Sequence, residues 1–203
     1  MLRPLPLPLP LPLPACLPPG RQSGTTLIEV LVTVVILAFG LLGIAAFQAK
    51  AQVGTLEAYQ RAQAVVLLED LRARMDANRV HMAEYVTATP LGTGDGASDC
   101  EGQSGSARDK CEWSVALKGA AETLNGNQTG AMLGARGCID EVQAADTTAG
   151  VCNPGIYLVT VAWQGMHPTI APALGCGRNA YGPETNRRAI STRISVGVAE
   201  CKL

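Results

Sequence analysis

The stretch TTLIEVLVTVVILAFGLLGIAAFQ, residues 25–48, decides how the rest of the chain is organised. Its 24 residues include one ionisable side chain, Glu29. A helix of this length rises about 36 Å, which is enough to span the hydrocarbon core of a bilayer. A carboxylate inside such a helix is costly unless an opposite charge neutralises it. The stretch therefore predicts a membrane-spanning helix in which Glu29 has a functional role that involves a cation.

The segment RQSGTTLIEV, residues 21–30, resembles the processing site of class III signal peptides, which occur in type IV pilins and type II secretion pseudopilins. The resemblance implies that a prepilin peptidase cuts after Gly24 and leaves the apolar helix attached. An ordinary secretory leader differs, because its apolar region is removed. The resemblance also implies that Thr25 becomes the N-methylated amino terminus, although the family usually has phenylalanine there, and that Glu29 becomes the fifth residue.

In assembled pili of this family, the residue that corresponds to Glu29 faces the amino terminus of a neighbouring subunit. We expect the same contact here, since removing one partner of a buried ion pair costs about 3–5 kcal/mol. The alternative is an ordinary membrane anchor whose acid lies near one interface and reaches headgroups or water.

The chain divides into four predicted regions: a leader at 1–24 that is removed, a transmembrane half-helix at 25–48, an amphipathic half-helix at 49–79 and a periplasmic domain at 80–203. Residues 4–14 form a Leu-Pro repeat that cannot be helical, and a start codon further downstream is an alternative explanation of it. Removing the leader takes away two of the 16 basic residues and none of the 17 acidic ones, so the net charge changes from −1 to −3. This charge gives no indication of nucleic-acid binding.

Six cysteines follow the apolar stretch, and an even number in an exported domain predicts disulfides. Six cysteines allow 15 connectivities. We expect pairing in chain order: Cys100 with Cys111, Cys138 with Cys152, and Cys176 with Cys201. A zinc site is the alternative, but the chain has no CxxC pair and only two histidines.

The region after the apolar stretch predicts a continuing amphipathic helix to residue 79. Its apolar positions recur at helical spacing: Leu68, Leu71 and Met75, preceded by Val53, Leu56 and Val65. Three oppositely charged pairs have i, i+4 spacing and predict an exposed helical face: Glu57–Arg61, Asp70–Arg74 and Arg72–Asp76.

Three further segments resemble PilV-type minor pilins. They are LLEDLRARMDANRVHMAEY at 67–85, GIYLVTVAWQG at 155–165 and RRAISTRISV at 187–196. The last two segments predict core strands, because apolar residues alternate in each. The alternating residues are Tyr157, Val159, Val161 and Trp163 in the first, and Ile190, Ile194 and Val196 in the second, with Val198 continuing the alternation just beyond it. A shorter strand is predicted at 112–117. The fold class is therefore α+β, and the resemblance implies a type IV pilin-like fold, in which a long helix packs on a small antiparallel sheet.

The sequence contains no set of residues in a recognised catalytic pattern, and neither a metal nor another cofactor is expected. Asp95, Asp99 and Glu101 lie in a glycine-rich loop that could bind calcium, but they lack the EF-hand spacing and also fit a solvated loop. His81 and His167 have no second ligand at metal-binding spacing.

These patterns and resemblances together predict a minor pilin that primes assembly of a type IV pilus and supports twitching motility and adhesion. The expected partners are other major and minor pilins, the prepilin peptidase, the inner-membrane assembly platform and, as a further candidate, a tip adhesin. The protein would cross the inner membrane once, with a periplasmic domain, and then enter the fibre or its tip. The alternatives are a minor pseudopilin of a type II secretion system and a single-pass periplasmic receptor or enzyme.

Overall fold

The computed structural model describes residues 24–97, 99–119, 123–124, 127–128 and 132–197. The predicted leader before Gly24, together with Val198 and Cys201, lies outside the described residues. The chain divides into two units with the boundary between Phe47 and Gln48. We describe the two units separately.

Helix α1 comprises Leu27–Ala77 and has no proline that would interrupt its hydrogen bonds. In the first unit every described residue of the helix is exposed. By length and composition, α1 is long and apolar enough to cross a membrane. This property agrees with membrane anchoring through the segment predicted from residues 25–48.

In the second unit one face of α1 packs on a sheet. Its buried residues are Ala64, Leu68, Leu71 and Met75, at helical spacing. The prediction for the last three is confirmed, whereas it is wrong for Leu56 and Val65, which are 49% and 47% exposed. Val65 follows Ala64 directly, and the roughly 100° turn between consecutive helical residues carries its side chain away from the sheet.

The sheet has four antiparallel strands in the order β1-β4-β5-β6. They are β1 (Leu91–Gly92), β4 (Leu133–Gln143), β5 (Gly155–Gln164) and β6 (Arg187–Val196). Strands β2 (Thr123–Leu124) and β3 (Asn127–Gln128) form a separate pair. The predicted core residues of β5 are all buried: Tyr157, Val159, Val161 and Trp163. On β6, Ile194 is buried, and Ile190 and Val196 pack against the same core.

A long amino-terminal helix therefore packs on a four-stranded antiparallel sheet, and the predicted α+β class is confirmed. The arrangement is consistent with a pilin-like fold. A 3₁₀ helix, Arg79–Tyr85, follows α1, and a second one, Glu184–Asn186, precedes β6.

The strand predicted at 112–117 is wrong, because these residues belong to helix α2 (Gly105–Leu117). Alternation over two apolar residues did not discriminate a strand from a helix. Trp113 and Leu117, four residues apart, are both buried on one helical face. The indole N–H of Trp113 donates to the carbonyl oxygen of Leu67 at 2.9 Å and so joins α2 to α1.

The contact between α2 and the sheet requires a glycine at position 137 of β4. A Cβ atom at Gly137 would lie 2.2 Å from the Trp113 ring and 2.8 Å from Leu117. Because the indole occupies this space, the ring lies directly against the backbone of the strand. Trp113 consequently contacts both α1 and β4.

Two disulfides join described cysteines. Cys100–Cys111 is confirmed, whereas the predicted pairs Cys138–Cys152 and Cys176–Cys201 are wrong, because Cys138 bonds to Cys176. Cys152 is itself disulfide-bonded.

The position of Cys138 on β4 explains the correction. Cys138 lies five residues before the end of the strand, which corresponds to about 17 Å of extended backbone, and Cys152 lies in the connection beyond that end. The β5–β6 connection instead folds over the face that carries Cys138, where Ala162, Cys176 and Tyr181 form a second buried cluster. Proximity along the sequence was therefore a poor guide to the pairing.

Candidate assembly site on the amino-terminal helix

The predicted cleavage site lies immediately before the first turn of α1. Gly24, Thr25 and Thr26 are exposed and precede the helix, which begins at Leu27. The carbonyl oxygen of Thr26 accepts hydrogen bonds from the backbone N–H groups of Glu29 at 3.0 Å and Val30 at 3.3 Å. The Gly24–Thr25 peptide is therefore outside the helical hydrogen-bond pattern.

Glu29 lies in the first turn of α1 and is exposed. It is the only acidic or basic side chain in residues 25–48, and among the described residues no ion pair involves it. A carboxylate in the first turn interacts favourably with the helix dipole, but this interaction contributes only about 0.3–1 kcal/mol. That gain is small compared with the cost of placing a charge in a bilayer, so a membrane-embedded Glu29 needs a further cation.

The charged side chains of the second half of α1 pair partly as predicted. Asp70–Arg74 and Arg72–Asp76 are ion pairs, with N–O distances of 3.1 and 3.8 Å. The Glu57–Arg61 pair is wrong, because Glu57 instead contacts Arg188 of β6 at 3.1 Å. Two of the three predicted pairs are thus local to the helix, and the third acid binds the sheet.

Arg74 also joins α1 to α2. Its guanidinium contacts Glu112 at 2.5 Å and Asp109 at 3.5 Å. The hydroxyl of Tyr85 donates to Asp109, and burial together with this hydrogen bond raises the pKa of Tyr85 to about 12. Tyr85 therefore stays neutral, and the polar contacts fix the end of the long helix against α2.

The loop acids considered for calcium have separate structural roles. Asp95 accepts hydrogen bonds from the Ser114 hydroxyl at 2.5 Å and the Gly92 N–H at 2.9 Å, and it pairs with Lys118 at 2.5 Å. Asp99 accepts the N–H of Glu101 at 2.9 Å. Within the described ranges, no group of three or more His, Cys, Asp or Glu side chains could hold a metal ion.

The ionisation of Asp95 makes the stability of the domain depend on pH. Burial alone would raise the pKa of Asp95, but the hydrogen bonds from Lys118, Ser114 and two backbone N–H groups lower it from 3.8 to about 2. This stabilisation is present above pH 4 and is lost as the pH falls toward 2, because the unfolded chain then binds a proton more readily than the folded one.

We expect Asp95 to contribute about 2 kcal/mol at neutral pH to the free energy of unfolding. Urea denaturation of the full chain in detergent should show the wild type losing more stability between pH 5 and pH 2.5 than Asp95→Asn, which cannot titrate. Equal pH dependence in the two proteins would contradict this assignment. Exposed Asp140→Asn is the control and should behave as the wild type.

A cleft of about 370 Å³ lies between residues 87–90 and 175–180, on the face of the sheet that carries Cys138. Arg136 and Asp140 line it, and the Arg136 guanidinium stacks 5.3 Å from the centroid of the Tyr181 ring. The described lining includes no histidine, and both of its cysteines, Cys138 and Cys176, are bonded to each other. The cleft therefore lacks a nucleophile activated by histidine.

Arg187 is a structural cation that the sequence did not reveal. It is 1% exposed, pairs with Glu184 at 2.6 Å and donates to the carbonyl oxygens of Pro172, Leu174 and Cys176 at 2.6–3.0 Å. Backbone carbonyls have no sequence signature. Only the position of two consecutive arginines, Arg187 and Arg188, at the start of a predicted strand could have drawn attention to Arg187.

Comparison with known proteins places a named motif on this region of the chain. Residues 19–45 match the family described as the prokaryotic N-terminal methylation motif. No curated protein and no solved structure matches the chain significantly. The matched range includes Gly24, Thr25 and Glu29, so the sequence resemblance and the motif agree on the same segment. The chain thus carries a class III prepilin-like leader motif, which supports a type IV pilin-like or pseudopilin-like protein.

Proposed function

We propose that this protein is a minor pilin of the PilV type, a structural subunit that primes assembly of a type IV pilus and so supports motility and adhesion. Prepilin peptidase removes residues 1–24, Thr25 becomes the methylated amino terminus, and the inner-membrane platform extracts the mature chain into the fibre. Its partners are other pilins, which contact the apolar helix, and a tip adhesin is a further candidate.

The observation that carries the proposal is the position of Glu29 relative to the methylation motif. The motif covers residues 19–45, and Glu29 is the one charged group in the apolar part of α1. The exposed Gly24–Thr25 peptide directly precedes that helix, so cleavage there would create a new α-amino group on every subunit. An α-amino group supplies the cation that a carboxylate in an apolar setting requires.

The second unit supports the same function in two ways. Its disulfides fit an oxidising compartment such as the periplasm. Its sheet carries the two segments that resemble PilV-type minor pilins, residues 155–165 and 187–196, as the adjacent strands β5 and β6.

A minor pseudopilin of a type II secretion system is the second candidate, because the same motif supports both classes. The two functions differ in what a deletion strain loses. Loss of surface pili with normal protein secretion favours the pilin, and the reverse favours the pseudopilin.

Amino-terminal sequencing of the protein from sheared pili tests the proposal directly. We expect the sequence to begin at Thr25, with a methyl group on its nitrogen, and the protein to be present in the sheared fraction. Gly24→Val should leave an uncleaved precursor in the membrane, since a branched side chain replaces the residue at the cut. Uncleaved wild-type protein in cells with an active prepilin peptidase would contradict the proposal and favour a single-pass receptor or enzyme.

A further inference from the structure

Arg136 differs from the other arginines whose side chains are buried or half-buried. Arg74, Arg187 and Arg188 each form an ion pair with a carboxylate. Among the described residues no carboxylate pairs with Arg136, and its guanidinium makes one long hydrogen bond, of 3.4 Å, to the carbonyl oxygen of Gly134. Removing a cation from water is costly unless an opposite charge compensates for it. Arg136 therefore has unused capacity to bind an anion.

Contacts with Tyr181 hold the Arg136 guanidinium in place. The guanidinium carbon lies over the Tyr181 ring, 5.3 Å from its centroid. The ring is itself fixed, because its hydroxyl donates to the carbonyl oxygens of Gly134 at 2.9 Å and Ala162 at 3.1 Å. A guanidinium whose face lies on a ring keeps the N–H fork at its edge, which matches the two oxygens of a carboxylate. This geometry favours bidentate binding of a carboxylate.

The two walls of the cleft beside Arg136 are also held. The disulfide between Cys138 and Cys176 ties β4 to one wall. On the other wall, the N–H of Thr87 donates to the carbonyl oxygen of Ile139, and the Thr87 hydroxyl accepts the N–H of Ile139, both at 3.0 Å. A site that is formed before its ligand arrives loses less conformational entropy on binding.

The far end of the cleft carries the opposite charge. Arg136, Cys138 and Asp140 alternate along the regular part of β4, so they share one face, and Asp140 lies about 13 Å along the strand from Arg136. Asp140 is exposed and has no ion pair within the part of the chain that the structure describes. Arg178 also lines the cleft and makes its net charge positive. The cleft thus attracts an anion at Arg136, whereas Asp140 repels a polyanion that extends along β4.

The wall at residues 87–90 offers backbone groups to a bound chain. Ala88 and Thr89 are exposed, and their N–H and C=O groups make no hydrogen bond within the described ranges. Free backbone groups beside a strand bind the peptide groups of another chain, which carries both donors and acceptors. This feature favours a peptide over a sugar acid or a phosphate ester as the source of the anion.

We propose that this cleft binds an extended peptide segment of a partner protein, whose acidic side chain contacts Arg136 and whose basic side chain, four residues away, contacts Asp140. An extended peptide rises by the same distance per residue as β4, so its charges match the two ends of the cleft. The proposal does not rest on the proposed pilin function, because every group that it uses belongs to the second unit.

Fluorescence anisotropy with the full chain in detergent micelles tests this site. The probes are labelled, acetylated pentapeptide amides with Glu at the first position, Lys at the last, and Ser, Thr or Ala in all combinations between them. We expect the tightest of these peptides to lose about tenfold or more in affinity when its Glu is replaced by Gln, since a charged hydrogen-bonded pair is lost. Moving the Lys next to the Glu should also weaken binding about tenfold.

Protein variants assign the binding to the two ends of the cleft. Arg136→Gln should bind the Glu and Gln versions of the peptide equally, whereas Arg61→Gln, on the exposed surface outside the cleft, should behave as the wild type. Asp140→Lys should weaken binding of the original peptide and bind a version with Glu at both ends at least tenfold more tightly than the wild type does. Misfolding cannot produce this gain, so the result stays decisive if Arg136→Gln proves unstable.

Four results would each overturn the proposal. They are wild-type binding of the Glu peptides no tighter than of their Gln versions, unchanged discrimination in Arg136→Gln, no gain in Asp140→Lys, and tighter Arg136-dependent binding of trigalacturonate or single-stranded DNA than of any peptide. The last result would assign the cleft to a sugar acid or a phosphate ester instead.

Discussion

Glu29→Ala should lower incorporation of the protein into fibres by about 100-fold or more, while cleavage and membrane anchoring continue. If the carboxylate pairs with the amino terminus of a neighbouring subunit, its removal leaves that cation unpaired in an apolar setting. Breaking such a buried pair costs about 3–5 kcal/mol, and each 1.4 kcal/mol corresponds to a factor of ten. Immunoblots of sheared fibres and membranes measure both fractions.

Two controls separate charge pairing from other roles of Glu29. Glu29→Gln keeps the shape of the side chain without its charge, so it should fail as Glu29→Ala does. If Glu29 acts only on the dipole of its own helix, about 0.3–1 kcal/mol is lost, and incorporation falls no more than about fivefold. Normal incorporation of Glu29→Gln would show that the charge is not required.

Trp113→Ala should destabilise the second unit by about 3–5 kcal/mol, the range for removing a fully buried aromatic side chain. The indole contacts α1 through the Leu67 carbonyl and lies against Gly137 of β4, so its loss opens a cavity where three elements meet. Chemical denaturation of the full chain in detergent, followed by far-ultraviolet circular dichroism, measures the effect.

Trp113→Phe is the matched control, because it keeps most of the ring and removes the N–H donor. We expect it to cost about 1–2 kcal/mol, less than alanine, since part of the packing remains. Val80→Ala on the exposed surface should change stability by less than about 0.5 kcal/mol. If Trp113→Ala is as mild as Val80→Ala, the packing assigned to the indole is wrong.

The sequence predicted those parts of the fold that depend on long, regular patterns. The alternation on β5 and the helical spacing of Leu68, Leu71 and Met75 each reflect one buried face, and both predictions are confirmed. The predicted buried face of α1 is wrong at Leu56 and Val65, because their burial depends on which part of the helix contacts the sheet. That position is a tertiary property, which no local pattern contains.

Helix α2 was missed although local signals for it exist. Ser104 precedes it, Gly119 with a φ of +85° follows it, and Arg108 and Glu112 form an i, i+4 pair at 2.7 Å. The alternation of Trp113 and Val115 favours a strand instead, but it is too short to discriminate a strand from a helix. The Cys138–Cys176 bond was unpredictable for another reason, since it depends on which connection folds over the sheet.

The functional residues were likewise predictable only where a sequence motif exists. Gly24, Thr25 and Glu29 were assigned from a short motif, and their roles in cleavage, methylation and pairing stay predictions. The cleft that Arg136 and Asp140 line could not be assigned from sequence, because residues 87–90, β4 and residues 175–180 come from three separate parts of the chain. Only the folded sheet and its connections bring them together.

The Cys138–Cys176 disulfide has a mechanical consequence for a subunit under tension. The two cysteines are 38 residues apart, and β5 lies wholly between them. A force that pulls the chain from its two ends bypasses this covalent loop, so about 130 Å of contour length cannot be drawn out while the bond is intact. Strand β5 therefore cannot be stretched from the chain ends until a reductant breaks the disulfide.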